Sequence, residues 1–344
     1  ASMKNRTFLA FVGPSLFLMF LFIAGPLLSV AWQSVHVTRT VYEEVETEVC
    51  TPGFLTQKCT MEIRTQPQLD ENGQQISETV FVGFESYKNL LQPEVAFESI
   101  REGSWAKLSN IDFYKALRFT LTFTLITLPL VLGMGLLVAL TVNHVMQSLR
   151  GPIIFISLLP FVITPVIGAL SIRWLFVGDG ILTALLEWWL ERDIAMFAQG
   201  WTIEILMLSY RVWHVTPFAF IVFYAGLQTV SRDTLESAIV DGATRWQRLR
   251  LVILPHLSPL ILFVSIIHLM DSYRVFEEVI GFRSQAHVIS LQWLTYDFLT
   301  LDDTGNRMIS RASASSMLTM IGIVFLLIFP LRGSWQEHQK RRSG

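Results

Sequence analysis

The stretch Phe113–Val142 reads F-Y-K-A-L-R-F-T-L-T-F-T-L-I-T-L-P-L-V-L-G-M-G-L-L-V-A-L-T-V, and it contains no charged residue after Arg118. A helix needs about 20 predominantly apolar residues to cross the hydrocarbon core of a bilayer. The uncharged part of this stretch is longer than that, so it predicts a membrane-spanning helix and indicates an integral membrane protein.

The composition of the whole chain agrees with that interpretation. The chain has 344 residues, of which 52% are hydrophobic and 16% are charged, whereas soluble domains carry about 25% charged residues. Its net charge of -2 excludes nucleic acid as a partner, because phosphate binding depends on basic surfaces.

Five further apolar stretches predict five more spans. They run over Phe8–Trp32, Pro152–Phe176, Thr202–Leu227, Pro259–Phe282 and Ala312–Leu331. The first has a longer apolar core than a cleaved signal peptide and ends in a tryptophan suited to the membrane interface, so we interpret it as a retained anchor. Ala1 and Ser2, which precede Met3, look like the remnant of an expression tag. The predicted fold class is an all-α membrane protein with six transmembrane helices.

The distribution of Lys and Arg over the short loops predicts the orientation, because cytoplasmic loops carry more of them. With the N-terminus inside, the inner set is Lys4, Arg6, Arg150, Arg232, Arg245, Arg248, Arg250, Arg332, Lys340, Arg341 and Arg342. The short outer loops hold Arg192, Arg283, Arg307 and Arg311. Both termini are therefore predicted to be cytoplasmic, and residues 33–112 to be extracytoplasmic.

Residues 33–112 are expected to contain a small β-rich insertion between the first and second spans. Valines and glutamates alternate with a period of two around residues 41–49, which is typical of strands. Two later segments, Cys59–Thr65 and Ile76–Val82, look similar, and Pro52-Gly53 and Asp70-Glu71-Asn72-Gly73 supply turn residues between them. We predict about three strands; the alternative is a disordered acidic loop.

Cys50 and Cys59 are the only cysteines of the chain. They fall in the predicted extracytoplasmic loop, where oxidation is permitted, and the turn between them can bring them together. We expect a disulfide, with two free thiols as the alternative. Zinc or an iron–sulfur cluster needs about four ligands in a recognisable spacing, so no metal site and no cofactor are predicted.

The predicted organisation has four parts. They are the N-terminal tail and first span at 1–32, the extracytoplasmic loop at 33–112, a five-helix core at 113–334 with a cytoplasmic loop at 231–256, and a cytoplasmic tail at 335–344.

The cytoplasmic loop combines helix signals with a bend. Asp233-Thr-Leu-Glu236 is typical of a helix start, because acidic residues stabilise the first turn. Gly242 can end that helix in the left-handed conformation. An amphipathic segment begins near Ala243, and Pro255 is expected to end it before the next span. The alternative is a loop that merely covers lipid headgroups.

This loop resembles the coupling loop of importer permeases in the ATP-binding-cassette (ABC) superfamily. The matching residues are Glu236, Ala238, Gly242 and Pro255, with Ser237 in place of a second alanine. Asp241-Gly242-Ala243 resembles the variant of the carbohydrate-uptake subfamily, of maltose and glycerol-phosphate type, and Arg245 follows it. The segments Phe81–Tyr87, Trp174-Leu-Phe176, Gly180-Ile-Leu and Ala225-Gly226-Leu227 also resemble that subfamily. Gly281–His287 and Phe119-Thr120 depart from its usual motifs.

The resemblance implies a transmembrane permease subunit of a bacterial inner-membrane importer for a carbohydrate or polyol-like solute. Implied partners are a second permease subunit in a heterodimer, two ATPase subunits that bind ATP and Mg, an extracytoplasmic solute-binding protein, and membrane lipid. This chain has no Gly-x-x-x-x-Gly-Lys-Ser/Thr loop, so it is expected not to be an enzyme. The alternatives are an ion-gradient-driven secondary transporter, which would show related halves, and a membrane-embedded enzyme.

Ionisable residues inside spans are costly and usually face a pathway or a partner. The candidates for the substrate pathway are Arg211, Trp213, Asp271, Tyr273, Arg274 and Glu278. Asp271 and Arg274 are three residues apart, so they could pair on one helix face. The alternative is that these residues form ion pairs at the interface with a sister subunit.

Overall fold

Helices dominate the computed structural model, which describes residues 5–51, 58–70, 73, 76–178, 180–301 and 306–343. The side chains of residues 5–9, 47–51, 58–60, 62, 64, 329 and 333–343 are not described. The chain forms two compact units, one from the described residues of Ala1–Gln92 and Phe298–Met317, the other from Pro93–Asp297 and Leu318–Gly344.

The first unit begins with the predicted first span. Helix α1 (Asn5–Met19) continues through a π-helical turn, Phe20–Ala24, into α2 (Gly25–Ser34). Pro26 lies just after the turn; its ring has no N–H and clashes with the carbonyl four residues earlier, and a wider turn relieves both problems. The apolar side chains along Ala10–Ser34 are not packed inside the chain, which suits a helix surrounded by lipid.

Four strands follow, one more than predicted. They are β1 (His36–Thr40), β2 (Tyr42–Thr51), β3 (Lys58–Pro67) and β4 (Ser77–Phe81). They form two antiparallel pairs, β1 with β4 and β2 with β3. The prediction missed β1 because its sequence, H-V-T-R-T, is rich in β-branched residues but lacks clear apolar alternation. The predicted turns at Pro52-Gly53 and at Glu71-Asn72 lie outside the described residues.

Helix α3 (Glu85–Leu91) follows the strands and ends the N-terminal part of the first unit. The Tyr87 hydroxyl donates to Ser34 Oγ over 2.8 Å, and the hydroxyls of Ser86 and Ser310 lie 2.6 Å apart. These contacts attach α3 to the end of the first span and to the start of the last span.

Every secondary-structure element among the described residues of the second unit is a helix. In chain order its helices are α4 (Pro93–Arg101), α5 (Trp105–Ser109), α6 (Asp112–His144), α7 (Gln147–Val162), α8 (Pro165–Phe176), α9 (Ile181–Leu190), α10 (Gly200–Leu227), α11 (Arg232–Val240), α12 (Arg245–Arg248), α13 (Leu254–Tyr273), α14 (Glu277–Gly281) and α15 (Leu291–Asp297). Helix α16 (Ile309–Ser343) is the last element and carries the final span, Ile309–Arg332; its residues up to Met317 belong to the first unit and those from Leu318 to the second.

Close packing of α6 against α10 forms the centre of this unit. A Cβ at Gly135 would lie 2.6 Å from the Cβ of Ala219, so only glycine permits this approach. Around that contact, Val131, Phe220 and Phe223 are buried, together with Val264 from α13. Gly133 has no atom within 4 Å of an added Cβ, so of these two glycines of α6 only Gly135 makes the close contact.

The apolar segment predicted as one continuous third span over Pro152–Phe176 is interrupted. The described residues contain five uninterrupted helices long enough and apolar enough to cross a membrane, or six candidate spans if this bent pair of helices counts as one. Helices α7 and α8 meet at 93° across Ile163-Thr164. Pro165 explains the break, because proline disfavours the helical conformation at the residue before it. Backbone carbonyls freed at such a break need other partners within a membrane.

The fifth span begins and ends earlier than the predicted Pro259–Phe282. The helix runs without interruption over Arg245–Tyr273 and includes a π-helical turn, Leu249–Ile253. Pro255 therefore does not end the preceding helix, as predicted, because the wider turn just before it accommodates the missing N–H. Arg274, Glu277 and Glu278 follow this helix instead of lying within it.

Candidate functional site

The loop after α10 contains a sharp helix–bend–helix. The Ser231 hydroxyl caps α11 by accepting the Thr234 N–H over 3.5 Å. At the other end, the Ala243 N–H donates to the Ala238 carbonyl and the Gly242 N–H donates to the Ile239 carbonyl, at 2.9 and 3.0 Å. This is the Schellman arrangement, and it requires a left-handed residue after the helix.

Gly242 is that left-handed residue, with φ +81. A Cβ at Gly242 would meet no atom within 4 Å, so backbone conformation alone selects glycine here. The predicted bend is thus present, and its hydrogen bonds join Gly242 to Ile239 and Ala243 to Ala238.

The second arm of the loop starts at Arg245 with a reciprocal cap. Thr244 Oγ1 accepts the Gln247 N–H over 3.3 Å, and Gln247 Oε1 accepts the Thr244 N–H over 2.8 Å. Such a capping box defines the first turn of a helix. Because the helix that starts here continues to Tyr273, the loop is directly joined to the fifth span.

Both arms of the loop are exposed. None of the residues of α11 or α12 is buried, and the predicted residues Glu236, Asp241 and Arg245 are all exposed. Large apolar side chains are exposed beside them: Val240 is 87% exposed and Trp246 is 67% exposed. The prediction missed these two, although a tryptophan in a charged loop is a recognisable signal of an interface.

A buried charge cluster links α10 to the end of the fifth span. The Arg211 side chain is only 4% exposed and donates through Nη1 to Glu278 Oε1 over 2.8 Å. Its Nη2 donates to Asp271 Oδ2. Glu278 is fully buried, whereas the Asp271 side chain is 57% exposed. The Arg211 guanidinium thus contacts two carboxylates, and only that of Asp271 is accessible from outside the chain.

Three of the six pathway candidates come together, and the predicted pair of Asp271 with Arg274 does not form. Arg274 follows the last helical turn and is exposed, so its side chain no longer shares a helix face with Asp271. Trp213 is 46% exposed and lines an apolar cavity of about 740 Å³. Tyr273 is buried, and a Cβ at Gly322 would lie 2.1 Å from its hydroxyl, so it packs against the last helix.

Two further polar side chains of α10 act on the broken third span. The Tyr210 hydroxyl donates to the Pro165 carbonyl, and His214 Nε2 lies 2.8 Å from the Ile163 carbonyl. The His214 contact gives the Ile163 carbonyl at the break a polar partner, and the Tyr210 contact fixes the first residue of α8. Neither residue is among the six predicted pathway candidates, because no local sequence pattern marks a break 45 residues away.

Comparison with known proteins places these features in a family. The family model described as binding-protein-dependent transport system inner membrane component matches residues 103–342. The chain is 25% identical over 282 residues to the probable ABC transporter permease protein YesP of Bacillus subtilis, covering 77% of this chain and 86% of that protein. It is 26% identical over 251 residues to the trehalose/maltose transport system permease protein MalF of Thermococcus litoralis, covering 70% and 80%.

Solved structures show the same fold. A chain of a bacterial ABC transporter involved in import of the acidic polysaccharide alginate matches with a TM-score of 0.66 at 21% identity, covering 96% of both chains. A chain of a bacterial alginate ABC transporter in complex with alginate pentasaccharide-bound periplasmic protein matches with a TM-score of 0.64 at 19% identity, covering 95% and 93%. Since the family model covers more than half of its length, the chain belongs to the inner-membrane components of binding-protein-dependent transport systems, and it is a multi-pass membrane permease.

Proposed function

We propose that this permease is one of two membrane subunits of an ATP-driven importer for a carbohydrate or polyol-like solute. The family supports the transport role, and the names of relatives support the solute class: these include the trehalose/maltose permease and the sn-glycerol-3-phosphate permease UgpA of Agrobacterium fabrum, which is 24% identical over 234 residues. A secondary transporter would leave this family membership unexplained.

The observation that carries the proposal is the exposed bent loop that continues into a span. Glu236 and Asp241 offer carboxylates for a cationic partner surface, and Val240 and Trp246 offer apolar contact area. Charged and aromatic groups together are typical of protein–protein hot spots. In this proposal the loop docks into a separate ATPase subunit, which holds ATP and Mg, and the ATPase is present in two copies.

Continuity of the helix supports a mechanical route from ATPase to pathway. The helix from Arg245 to Tyr273 has 29 residues, so it is about 43 Å long. A displacement of the docked loop would move the far end of this helix, where Asp271 contacts Arg211. Because Arg211 also holds Glu278 of α14, three elements would move together during alternating access.

We place Asp271 on the solute pathway. An exposed carboxylate in a span does not face lipid, because a charged group in contact with hydrocarbon would be too costly there. Arg211 and Glu278 are buried and would position Asp271 instead of contacting solute. Arg274 and Trp213 are exposed and remain candidates, whereas the packing of Tyr273 supports a structural role. The alternative, an ion-pair interface with the second permease, would also use the exposed face of Asp271.

The charge bias of the loops supports an orientation with both termini cytoplasmic. Reporter fusions after Gly151 and after Pro255 should be active as cytoplasmic fusions, and a fusion at Gly73 as an extracytoplasmic one. The reverse result at any of these positions would refute the orientation.

Co-purification tests the function most simply. Affinity-tagged permease should bring with it a second permease and a soluble ATPase, and vesicles with this complex should take up solute only with ATP and a binding protein. Glu236→Ala should lower ATPase retention, with a larger difference from the parent at low salt than at high salt, because salt screens the charge-assisted contact that the substitution removes. Uptake driven by an ion gradient without ATPase would refute the proposal.

A further inference from the structure

The first unit contains a polar pocket that the coupling loop and the charge cluster do not use. It has a volume of about 380 Å³ and is formed by β1, α3 and the start of α16. The buried hydroxyls of Ser86 and Ser310, 2.6 Å apart, hold α3 against α16 at this pocket. Arg39, Arg307 and Arg311 are among its lining residues.

These three guanidinium groups lack carboxylate partners among the described residues. No ion pair involves Arg39 or Arg307 there, and the Arg311 side chain donates only to Met308 Sδ, over 3.6 Å. Glu85 is the one acidic residue lining the pocket, so its net charge is positive. The first backbone N–H groups of α16, at Ile309 and Ser310, border the same pocket and add to the positive potential.

The lining chemistry selects an anion. Arginine presents planar paired donors that match a carboxylate. No aromatic residue lines the pocket, so it lacks the ring-stacking surface that a sugar would use. Thr38 and Asn89 add hydrogen-bonding groups beside the arginines, which suits a side-chain carboxylate that is only partly desolvated.

We propose that this arginine pocket receives an acidic side chain, or a pair of them, from the extracytoplasmic solute-binding protein. The inference rests on the proposed function and adds a specific docking point to it. By the predicted orientation, β1 and α3 belong to the extracytoplasmic segment that follows the first span. The family acts with binding proteins, which approach from that side.

The test uses the complete transporter in vesicles, with ATP hydrolysis measured against the concentration of solute-loaded binding protein. Arg39→Ala and Arg307→Ala should each raise the half-saturating concentration about five-fold, with an unchanged maximal rate. Arg101→Ala is the matched control, since Arg101 is exposed and lies outside the pocket. Glu85→Gln should lower the half-saturating concentration, because it removes the one negative charge of the pocket.

Docking predicts that Arg307→Ala raises the half-saturating concentration of binding protein and that Glu85→Gln lowers it. General damage to the fold would instead impair both variants. The inference would be overturned if Arg39→Ala and Arg307→Ala both left the half-saturating concentration of binding protein unchanged. It would also be overturned if these variants lowered only the maximal rate of ATP hydrolysis. An effect that appears only in vesicles containing anionic lipid would instead assign the pocket to a lipid phosphate and also overturn it. A parent complex that no binding protein stimulates would refute the proposed function itself.

Discussion

Substitution of Arg211 is expected to be costly because of the two carboxylates that surround its side chain. It is buried between Glu278, which is fully buried, and Asp271, which is more than half exposed. Removing one partner of a buried ion pair strands the other charge, which is far costlier than replacing both. In the proposed function, Arg211 and Glu278 position Asp271, and only Asp271 contacts the solute.

We expect Arg211→Met to destabilise the purified permease complex by about 3–5 kcal/mol, measured as a lower thermal midpoint. Adding Glu278→Gln should recover most of the loss, because the stranded carboxylate is removed. Arg274→Ala is the control and should change stability by less than about 0.5 kcal/mol, as an exposed substitution. A double variant that is as unstable as Arg211→Met would contradict the assigned pairing.

Asp271→Asn should act differently, because its exposed side chain contributes less to stability. We expect the complex to assemble with a thermal midpoint close to the parent and to show reduced solute uptake. The comparison with Leu262→Ala on the same helix corrects for general effects on this span. Normal uptake with Asp271→Asn would remove this residue from the pathway.

At the scale of elements, contact between α6 and α10 is limited by one glycine. Gly135→Ala would place a Cβ 2.6 Å from that of Ala219 and 3.1 Å from backbone, so the helices must separate, at about 1–3 kcal/mol. Gly133→Ala meets nothing within 4 Å and gains helix propensity, so it should be neutral or stabilising. Equal thermal midpoints for the two variants would argue against this packing.

The hairpin of β2 and β3 has too few strands to be stable by itself, since isolated two-stranded hairpins are marginal in water. Its register places Cys50 opposite Cys59, and opposed residues of antiparallel strands have Cα atoms about 4.5–5.5 Å apart, within the range for a disulfide. Their side chains are not described, so the disulfide remains a prediction.

A disulfide here would stabilise the hairpin by about 2–3 kcal/mol in the loop-entropy view. We expect thiol alkylation of denatured, unreduced protein to label neither cysteine, and Cys50→Ser to speed proteolysis within residues 42–67. Labelling of both cysteines without reductant would exclude the disulfide.

At the scale of the whole molecule, the features that could be predicted from the sequence are those that neighbouring residues determine. Apolar length predicted the spans, and helix signals with Gly242 predicted the bend of the coupling loop. The features that the sequence analysis missed depend on contacts between residues far apart in the chain. Asp271 pairs with Arg211, 60 residues away, instead of with Arg274, and the break at Pro165 is stabilised by Tyr210 and His214.

Proline was the other source of error, because its effect depends on context. A proline can break a helix or remain within it after a π-helical turn. Pro165 breaks a helix, whereas Pro255 remains within one. Sequence alone did not distinguish them, so the third span was predicted continuous and the fifth was predicted to start too late.

The central claim is that the bend at Gly242 couples ATP hydrolysis to transport. Gly242→Val forces a branched side chain into a left-handed conformation, at a cost of about 1 kcal/mol or more, and should change the angle between α11 and α12. Gly103→Val is the matched control, since Gly103 has φ +66 and open space around it but lies outside the loop.

The decisive measurement is the ratio of solute imported to ATP hydrolysed by the reconstituted complex. For Gly242→Val we predict correct membrane insertion with either loss of the ATPase or a ratio reduced at least about ten-fold, while Gly103→Val keeps the parental ratio. A Gly242→Val complex that retains its ATPase and imports solute at the parental ratio would contradict the account.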